Sequence, residues 1–252
     1  MTEGFAAETT EPHNRLQKVS LAVEESRLYW QAARPDMSSA EENRRAFAER
    51  WLGAKSSERV AVLLADFRAR YAAFPEALGA LRRWMPADPV VRRLVCHWHL
   101  QLADPVYRRF TAEFLPELRN GGRESVDFSV VLRWVLETNP KGWRPSTCRQ
   151  VAGRLLSASS EAGLLTAAPD PRRLLVPHVP DEALAYLLHL LREVSIAQPL
   201  FANDYLGSVG LSGIFLHQRL NGVPWVKVQR MGDLVSAEWR YASLREWAES
   251  VL

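Results

Sequence analysis

Apolar residues recur along most of this chain at the three-to-four-residue spacing of an α-helix, and strand-like segments are confined to its second half. Residues 1–16 fall outside the pattern. They are acidic, poor in large apolar side chains and interrupted by Pro12, which predicts a disordered tail. From Lys18 the helical period begins. Val23, Leu28 and Trp30 share a first helix that Arg34-Pro35-Asp36 ends. Ser38 or Ser39 caps a second, bearing Phe47, Trp51 and Leu52 and closing at Gly53. Ser56 or Ser57 starts a third with Val60, Leu63, Leu64, Phe67 and Tyr71. Pro75 fits the first turn of a fourth, which carries Leu78, Leu81, Trp84 and Met85. Asp88-Pro89-Val90 and Asp104-Pro105-Val106 are matching helix starts, with Asp as N-cap and Pro where a missing N–H costs nothing. The helices they open end near Ala103 and near Asn120-Gly121-Gly122, the predicted end of a helical bundle spanning 17–122.

Beyond that boundary Phe128, Val131, Leu132, Val135 and Leu136 form one stripe of a helix that stops at Asn139-Pro140. A helix over 147–162 follows, with Gly163 as its stop. Short strands at 164–167 and 173–176 flank Ala168-Pro169-Asp170-Pro171, and a leucine-rich helix covers 181–197. Residues 123–200 therefore read as a winged-helix-like domain with a following helix. In 201–252 the pattern predicts a helix over 203–220 and a hairpin of 225–230 and 234–241 about Met231-Gly232-Asp233. A last helix follows the capping box Ser243-Leu244-Arg245-Glu246. The fold class is mainly α: a helical bundle, a winged-helix-like segment, and a C-terminal helix, β-hairpin and helix.

The 252 residues, 47% of them hydrophobic, suffice for one large core or two smaller ones. No apolar run reaches the roughly 18 residues that span a bilayer. The N-terminus lacks the charged-then-apolar order of a signal peptide, so a cytoplasmic location is expected. Cys96 and Cys148, amid apolar helix residues, read as small buried hydrophobes with reduced thiols. The nine tryptophans are expected mostly in the core.

The net charge of +3 points only weakly to an acidic partner. The basic residues are mostly arginine, the lysines being Lys18, Lys55, Lys141 and Lys227. Arginine suits phosphate and base recognition through its planar fork, but a GC-rich genome favours it too, so placement decides. Residues 141–180 carry Lys141, Arg144, Arg149, Arg154, Arg172 and Arg173 against Glu161 and Asp170, a net +4 that exceeds that of the whole chain. On the helix over 147–162, Thr147 and Gln150 make a capping box. Cys148, Val151, Ala152, Leu155, Ala158, Ser159 and Ala162 share the inner side. Arg149, Gln150, Gly153, Ser157 and Ser160 share the outer one, with Arg154 at its edge.

That outer face suits a DNA major groove: Arg149 matches guanine O6/N7, Gln150 matches adenine, and Gly153 and Ser157 keep the face low. Lys141, Arg144, Ser146 and Thr147 lie at the helix entry, where phosphates are held, and Arg172 and Arg173 follow the wing turn. The expected DNA-binding set is Lys141, Arg144, Ser146, Thr147, Arg149, Gln150, Arg154, Ser157, Arg172 and Arg173. Trp143 is expected to anchor the turn before the helix. The Arg doublets 82–83, 92–93 and 108–109 read as solvated helix faces or as a second basic surface.

Catalytic and metal signatures are weak. Cys96-His97-Trp98-His99 puts Cys96 and His99 on one face, far short of the four ligands of a zinc site. Glu24-Glu25 and Glu41-Glu42 sit where a helix dipole favours carboxylates. No phosphate-cradling loop, nucleophile elbow or H-E-x-x-H occurs in the sequence, so no enzyme activity, cofactor, metal or small-molecule substrate is expected.

The order of features resembles the BrxA family of the BREX bacteriophage-defence systems. The residues that carry the resemblance are collinear. They are Leu21-Ala22-Val23-Glu24-Glu25-Ser26-Arg27, then Leu102-Ala103-Asp104-Pro105-Val106-Tyr107-Arg108-Arg109-Phe110, then Gly142-Trp143-Arg144-Pro145-Ser146-Thr147. The last runs on through Gln150-Val151 and Leu155-Leu156 to Ala162-Gly163-Leu164-Leu165, and Trp239-Arg240-Tyr241-Ala242-Ser243-Leu244-Arg245-Glu246 closes the set. The resemblance implies a mainly helical protein that binds double-stranded DNA without catalysis, beside a methyltransferase and other BREX components. Two alternatives stay open: a protein–protein adaptor within the defence complex, and a winged-helix transcriptional regulator.

Overall fold

A computed structural model describes residues 6–34, 37–139, 142–231 and 234–251, with the backbone alone for 230–231 and 234–235. The architecture is mainly helical, with three short two-stranded pairings. The chain opens with strand β1 (Ala6–Ala7) and a 3-10 turn (Arg15–Gln17). Helices α1 (Val23–Ala32), α2 (Ser39–Ala48), α3 (Ser57–Phe67), α4 (Pro75–Trp84) and α5 (Pro89–Ala103) follow. Helices α6 (Pro105–Arg109) and α7 (Leu115–Asn120) run into each other through a π turn at Phe110–Phe114. The capping residues work as the sequence indicates. Ser38, Ser56, Asp88 and Asp104 each accept first-turn N–H groups of the helix they precede.

The second half holds β2 (Ser125–Val126), α8 (Phe128–Thr138), α9 (Pro145–Glu161), β3 (Arg172–Arg173) and α10 (Asp181–Arg192). Then come β4 (Val194–Ser195), α11 (Asp204–Ser208), α12 (Gly213–Asn221), β5 (Val226–Met231), β6 (Leu234–Trp239) and α13 (Leu244–Ser250). β5 and β6 pair antiparallel from Val226↔Trp239 to Met231↔Leu234, the expected hairpin, while Gly232 and Asp233 of its turn lie outside the described residues.

Three expectations are corrected. The tail predicted as disordered over 1–16 is ordered across its described residues, 6–16. β1 pairs parallel with β4, Thr9 N–H donates to Leu102 O, and Leu16 is buried. The sequence hides this because the segment is held by polar groups, not by an apolar stripe. Arg108 donates to Thr9 O at 2.9 Å and lies 3.3 Å from Glu8, whose carboxylate also accepts the Tyr205 hydroxyl. The helix expected over 181–197 ends at Arg192, where the chain turns to pair with β1. The helix expected over 203–220 is two. Gly210, at φ +78°, breaks it, and a Cβ there would meet Val176 Cγ1 at 2.7 Å, so both conformation and space require glycine.

The core is one contiguous cluster that runs through all parts of the chain, rather than stopping at residue 122. α13 packs on α4, and α10 packs on α5. None of the nine tryptophans is exposed. Phe47 on α2 and Leu136 on the apolar stripe of α8 are exposed, at 48% and 49%.

Every residue from Leu94 to Asp104 is buried, so the polar side chains of α5 must be satisfied inside the protein. His99 donates from Nδ1 to Arg70 O at 2.7 Å and accepts the Tyr186 hydroxyl at Nε2, also 2.7 Å. Ser208 Oγ donates to Tyr205 O, so His97 Nε2–H donates to Ser208 Oγ at 2.9 Å while Nδ1 accepts from Tyr107. Both imidazoles thus serve as neutral core groups. Burial holds the pKa of His97 down to about 3 and that of His99 to about 4. Burial raises the Asp66 carboxyl to about 6, against the pull of Arg70, 2.6 Å away.

These shifts act in opposite directions on stability. Between pH 6.5 and 4 the unfolded chain protonates both histidines and the folded chain does not, so stability falls as pH falls. His189, held near 4 by burial, adds to this, while Asp66 and Asp104, raised by burial, oppose it. Denaturant unfolding is expected to show a lower midpoint at pH 5 than at pH 7. An equal or higher midpoint would mean that the carboxyl groups outweigh the imidazoles.

Candidate nucleic-acid interface

The segment after residue 122 builds a helix–turn–helix with a small sheet edge. β2 precedes α8 and pairs antiparallel with β3, Ser125↔Arg173 and Val126↔Arg172. Leu165 bridges to Leu174, Thr166 N–H donates to Arg173 O, and Leu175 N–H donates to Leu164 O. The result is a wing, shorter in regular strand than the sequence suggests. Strand β2, which the sequence pattern does not reveal, supplies its third edge.

The turn between α8 and α9 is locked by Asn139. Its Oδ1 accepts Trp143 N–H at 2.9 Å and its Nδ2 donates to Trp143 O at 3.0 Å. Trp143 packs half-buried against the core, as expected. α9 begins at Pro145, with Arg144 as an N-cap that supplies no side-chain bond. The capping box expected from Thr147 and Gln150 is therefore not formed, and both residues lie within the helix. Pro145 presets the helical φ and pushes Arg144 into the extended region, which moves the start two residues earlier. The far end closes as predicted at Gly163, φ +81°, where Leu164 N–H reaches back to Ser159 O and Gly163 N–H to Ser160 O.

The inner side of α9 is buried as read: Cys148, Val151, Ala152, Leu155, Ala158, Ser159 and Ala162. Burial raises the Cys148 thiol above its ordinary value, which keeps it neutral. On the outer side Arg149, Gln150 and Arg154 are exposed, and Arg144 and Ser146 are exposed at the helix entry. Thr147 is half-buried. Lys141 lies outside the described residues. Arg173 is exposed beside the wing. None of these described arginines pairs with a carboxylate among the described residues.

Two of the expected contacts, Arg172 and Ser157, are engaged inside the protein. Arg172 is half-buried and donates from Nη1 to Leu156 O at 3.0 Å and to Ser160 Oγ at 2.9 Å, and from Nε to Asp170 at 3.0 Å. Asp170 also accepts Phe128 N–H at the start of α8, at 2.9 Å. The wing turn is thereby strapped to both helices, and Arg172 holds the strap. Gly153 does not leave an open gap: the Phe128 ring fills the space, with Cε2 3.8 Å from where a Cβ would stand. Ser157 is half-buried, and its hydroxyl donates to Gly153 O at 3.0 Å.

Of the Arg doublets, four arginines are engaged with groups outside this face, while Arg93 lines one depression with Arg59 and with Ser160 and Glu161 of α9. Arg83 pairs with Glu249 and Arg109 with Glu113, Arg92 donates to Pro86 O and Ala87 O, and Arg108 is buried against Glu8. Two other cations do stand beside α9, and no sequence motif marks them. Arg59 of α3 donates to Lys18 O at 2.8 Å, next to the Arg154 bond to Gln17 O at 3.2 Å.

No protein-family model and no curated protein sequence matches the chain. The crystal structure of an uncharacterized protein from Magnetospirillum magneticum is similar over 81% of this chain and 100% of that one, with a TM-score of 0.61 at 14% identity. That likeness shows a shared, mainly helical fold.

Two substitution pairs test the geometry. Arg172→Ala is expected to lower stability by about 1–3 kcal/mol by removing buried hydrogen bonds, and Arg173→Ala to change it by less than about 0.5 kcal/mol. Equal effects in thermal unfolding would refute the strap. Gly153→Ala puts a methyl at ordinary contact distance from Phe128 and is expected to stabilise by up to about 1 kcal/mol. A loss of stability on denaturant unfolding would show that the Phe128 ring needs the space.

Proposed function

We propose that this protein is a non-catalytic, double-stranded-DNA-binding accessory component of a BREX-type phage-defence system, working in the cytoplasm. The observation that carries the DNA reading is the outer face of α9. Arg144, Arg149, Gln150 and Arg154 project from it to solvent, without carboxylate partners among the described residues, and Arg173 is exposed at the wing beside it. The free N–H groups at the helix start add to the positive field there, because no side chain caps them. The defence role rests on the resemblance of the collinear segments to the BrxA family. Among the described residues no helix is long and apolar enough to cross a membrane, which accords with a protein meeting DNA in the cell interior.

Phosphate contacts by arginine supply most of the grip in this reading, with Arg149 and Gln150 placed to meet base edges. Arg172 drops out of the contact set because it is half-buried and its Nε and Nη1 donors are held inside the protein. The test is fluorescence anisotropy of a labelled duplex titrated with the full chain at several salt concentrations. The expected result is an affinity that falls linearly in log–log form with salt, by about 0.9 in slope for each phosphate neutralised. The double variant Arg149→Ala, Arg154→Ala is expected to bind at least tenfold more weakly. No binding to any duplex at low salt would overturn the reading, and an unchanged affinity of the double variant would exclude α9 as the contact.

A further inference from the structure

The contact between the N-terminal segment and α9 brings together cations from three separate parts of the chain. The 3-10 turn Arg15–Gln17 lies along α9, and two successive carbonyls at its end are each taken by a different guanidinium. Arg154 donates from Nε to Gln17 O, and Arg59 donates from Nη1 to Lys18 O. The two acceptor carbonyls belong to neighbouring residues, whose Cα atoms are about 3.8 Å apart, so both guanidinium groups are anchored on one short stretch of backbone that also carries the Lys18 side chain. All three side chains are exposed, and none has a carboxylate partner among the described residues.

Of the carboxylates of the neighbouring depression, Glu24 and Glu25 are paired with cations, and Glu161 keeps its charge while accepting a backbone N–H. Glu161 accepts Ala22 N–H at 3.0 Å, Glu25 meets Lys55 at 3.3 Å, and Glu24 meets Arg27 at 3.0 Å and Arg92 at 3.5 Å. The charge left over at this rim is positive. The carbonyl bonds also hold both arginines in place while leaving free donors: Nη1 and Nη2 on Arg154, Nε and Nη2 on Arg59. A pre-ordered fork loses less side-chain entropy when it takes an oxyanion. Arg154 belongs both to this cluster and to the outer face of α9, so the two surfaces are continuous.

We propose that Lys18, Arg59 and Arg154 form a second phosphate-contact point, which holds the backbone of the duplex that α9 engages and extends the footprint onto the helical bundle. This rests on the DNA-binding reading above. The ligand group is the phosphodiester of double-stranded DNA. The contact is sequence-independent, since guanidinium and ammonium groups on phosphate oxygens read no base.

The experiment compares salt slopes of duplex binding for the full chain and its Lys18→Ala, Arg59→Ala double variant, neither residue being part of the α9 face. The expected result is a slope smaller by about 0.9 for each phosphate no longer neutralised, and weaker binding at every salt concentration where binding is measurable. The exposed Lys18 side chain makes no hydrogen bond or ion pair among the described residues, so Lys18→Ala alone keeps the fold intact and is expected to lower the slope by about 0.9. Thermal unfolding checks the Arg59 variant. Arg109→Ala, which removes an equal charge elsewhere on the bundle, is the control and is expected to leave the slope unchanged. If the wild-type chain binds but the Lys18 and Arg59 variants keep its slope, the second contact point is overturned while the α9 reading stands. It is overturned equally if Arg109→Ala lowers the slope as much. If the wild-type chain binds no duplex at low salt, both fail.

Discussion

The fold is arranged around a helix, α5, that has no wet face from Leu94 onward. From Leu94 to Asp104 every residue of and just after α5 is buried, and three of them are His97, His99 and Gln101. A buried polar group without a partner costs about 1–3 kcal/mol, so the surrounding elements must bring partners to it. Tyr107 and Ser208 come to His97, the Arg70 carbonyl and Tyr186 to His99, and Thr111 to Gln101. These partners lie on α6, α10, α11 and the turns after α3 and α6. The hydrogen bonds therefore do what apolar contact alone does not: they set which element faces which residue of α5.

The same requirement explains the N-terminal segment. Arg108 is buried next to α5, and a guanidinium there needs several acceptors. Gln101 O, Thr9 O and the Glu8 carboxylate supply them, which draws residues 8–9 onto the bundle. Ordering residues 6–17 in turn lays the 3-10 turn along α9 and brings the Gln17 carbonyl, next to Lys18, to Arg154. A charge buried near the centre is thus linked, through one strap, to the make-up of the basic surface.

Local signals were legible in the sequence where they act over one turn of helix. Asp88, Asp104, Ser38 and Ser56 cap as read, Gly163 terminates α9, and the inner side of α9 follows its period. The misread places are those where a local signal met a stronger one. Thr147 and Gln150 have capping-box spacing, but Pro145 is the better first residue. The apolar pattern continues through Val194 and Ile196 to Ala197, but pairing with β1 ends the helix at Arg192. Residues 203–220 keep a helical period across Gly210, whose conformation and contact with Val176 break it.

The sequence by itself determined most of the helices, the mainly helical class and the excess of arginine in 141–180, because helix period, capping and local charge depend on neighbours a few residues apart. Which arginines remain available was decided only by the tertiary structure. Arg172 and Arg173 are adjacent and chemically identical, yet the first ties the wing to α9 and the second faces solvent. Arg108 and Arg59 are equally alike in sequence terms, yet one is buried against Glu8 and the other stands at the edge of α9. The physical reason is that a guanidinium takes whatever carbonyls and carboxylates the fold brings within about 3 Å, and those acceptors come from segments far away in the chain.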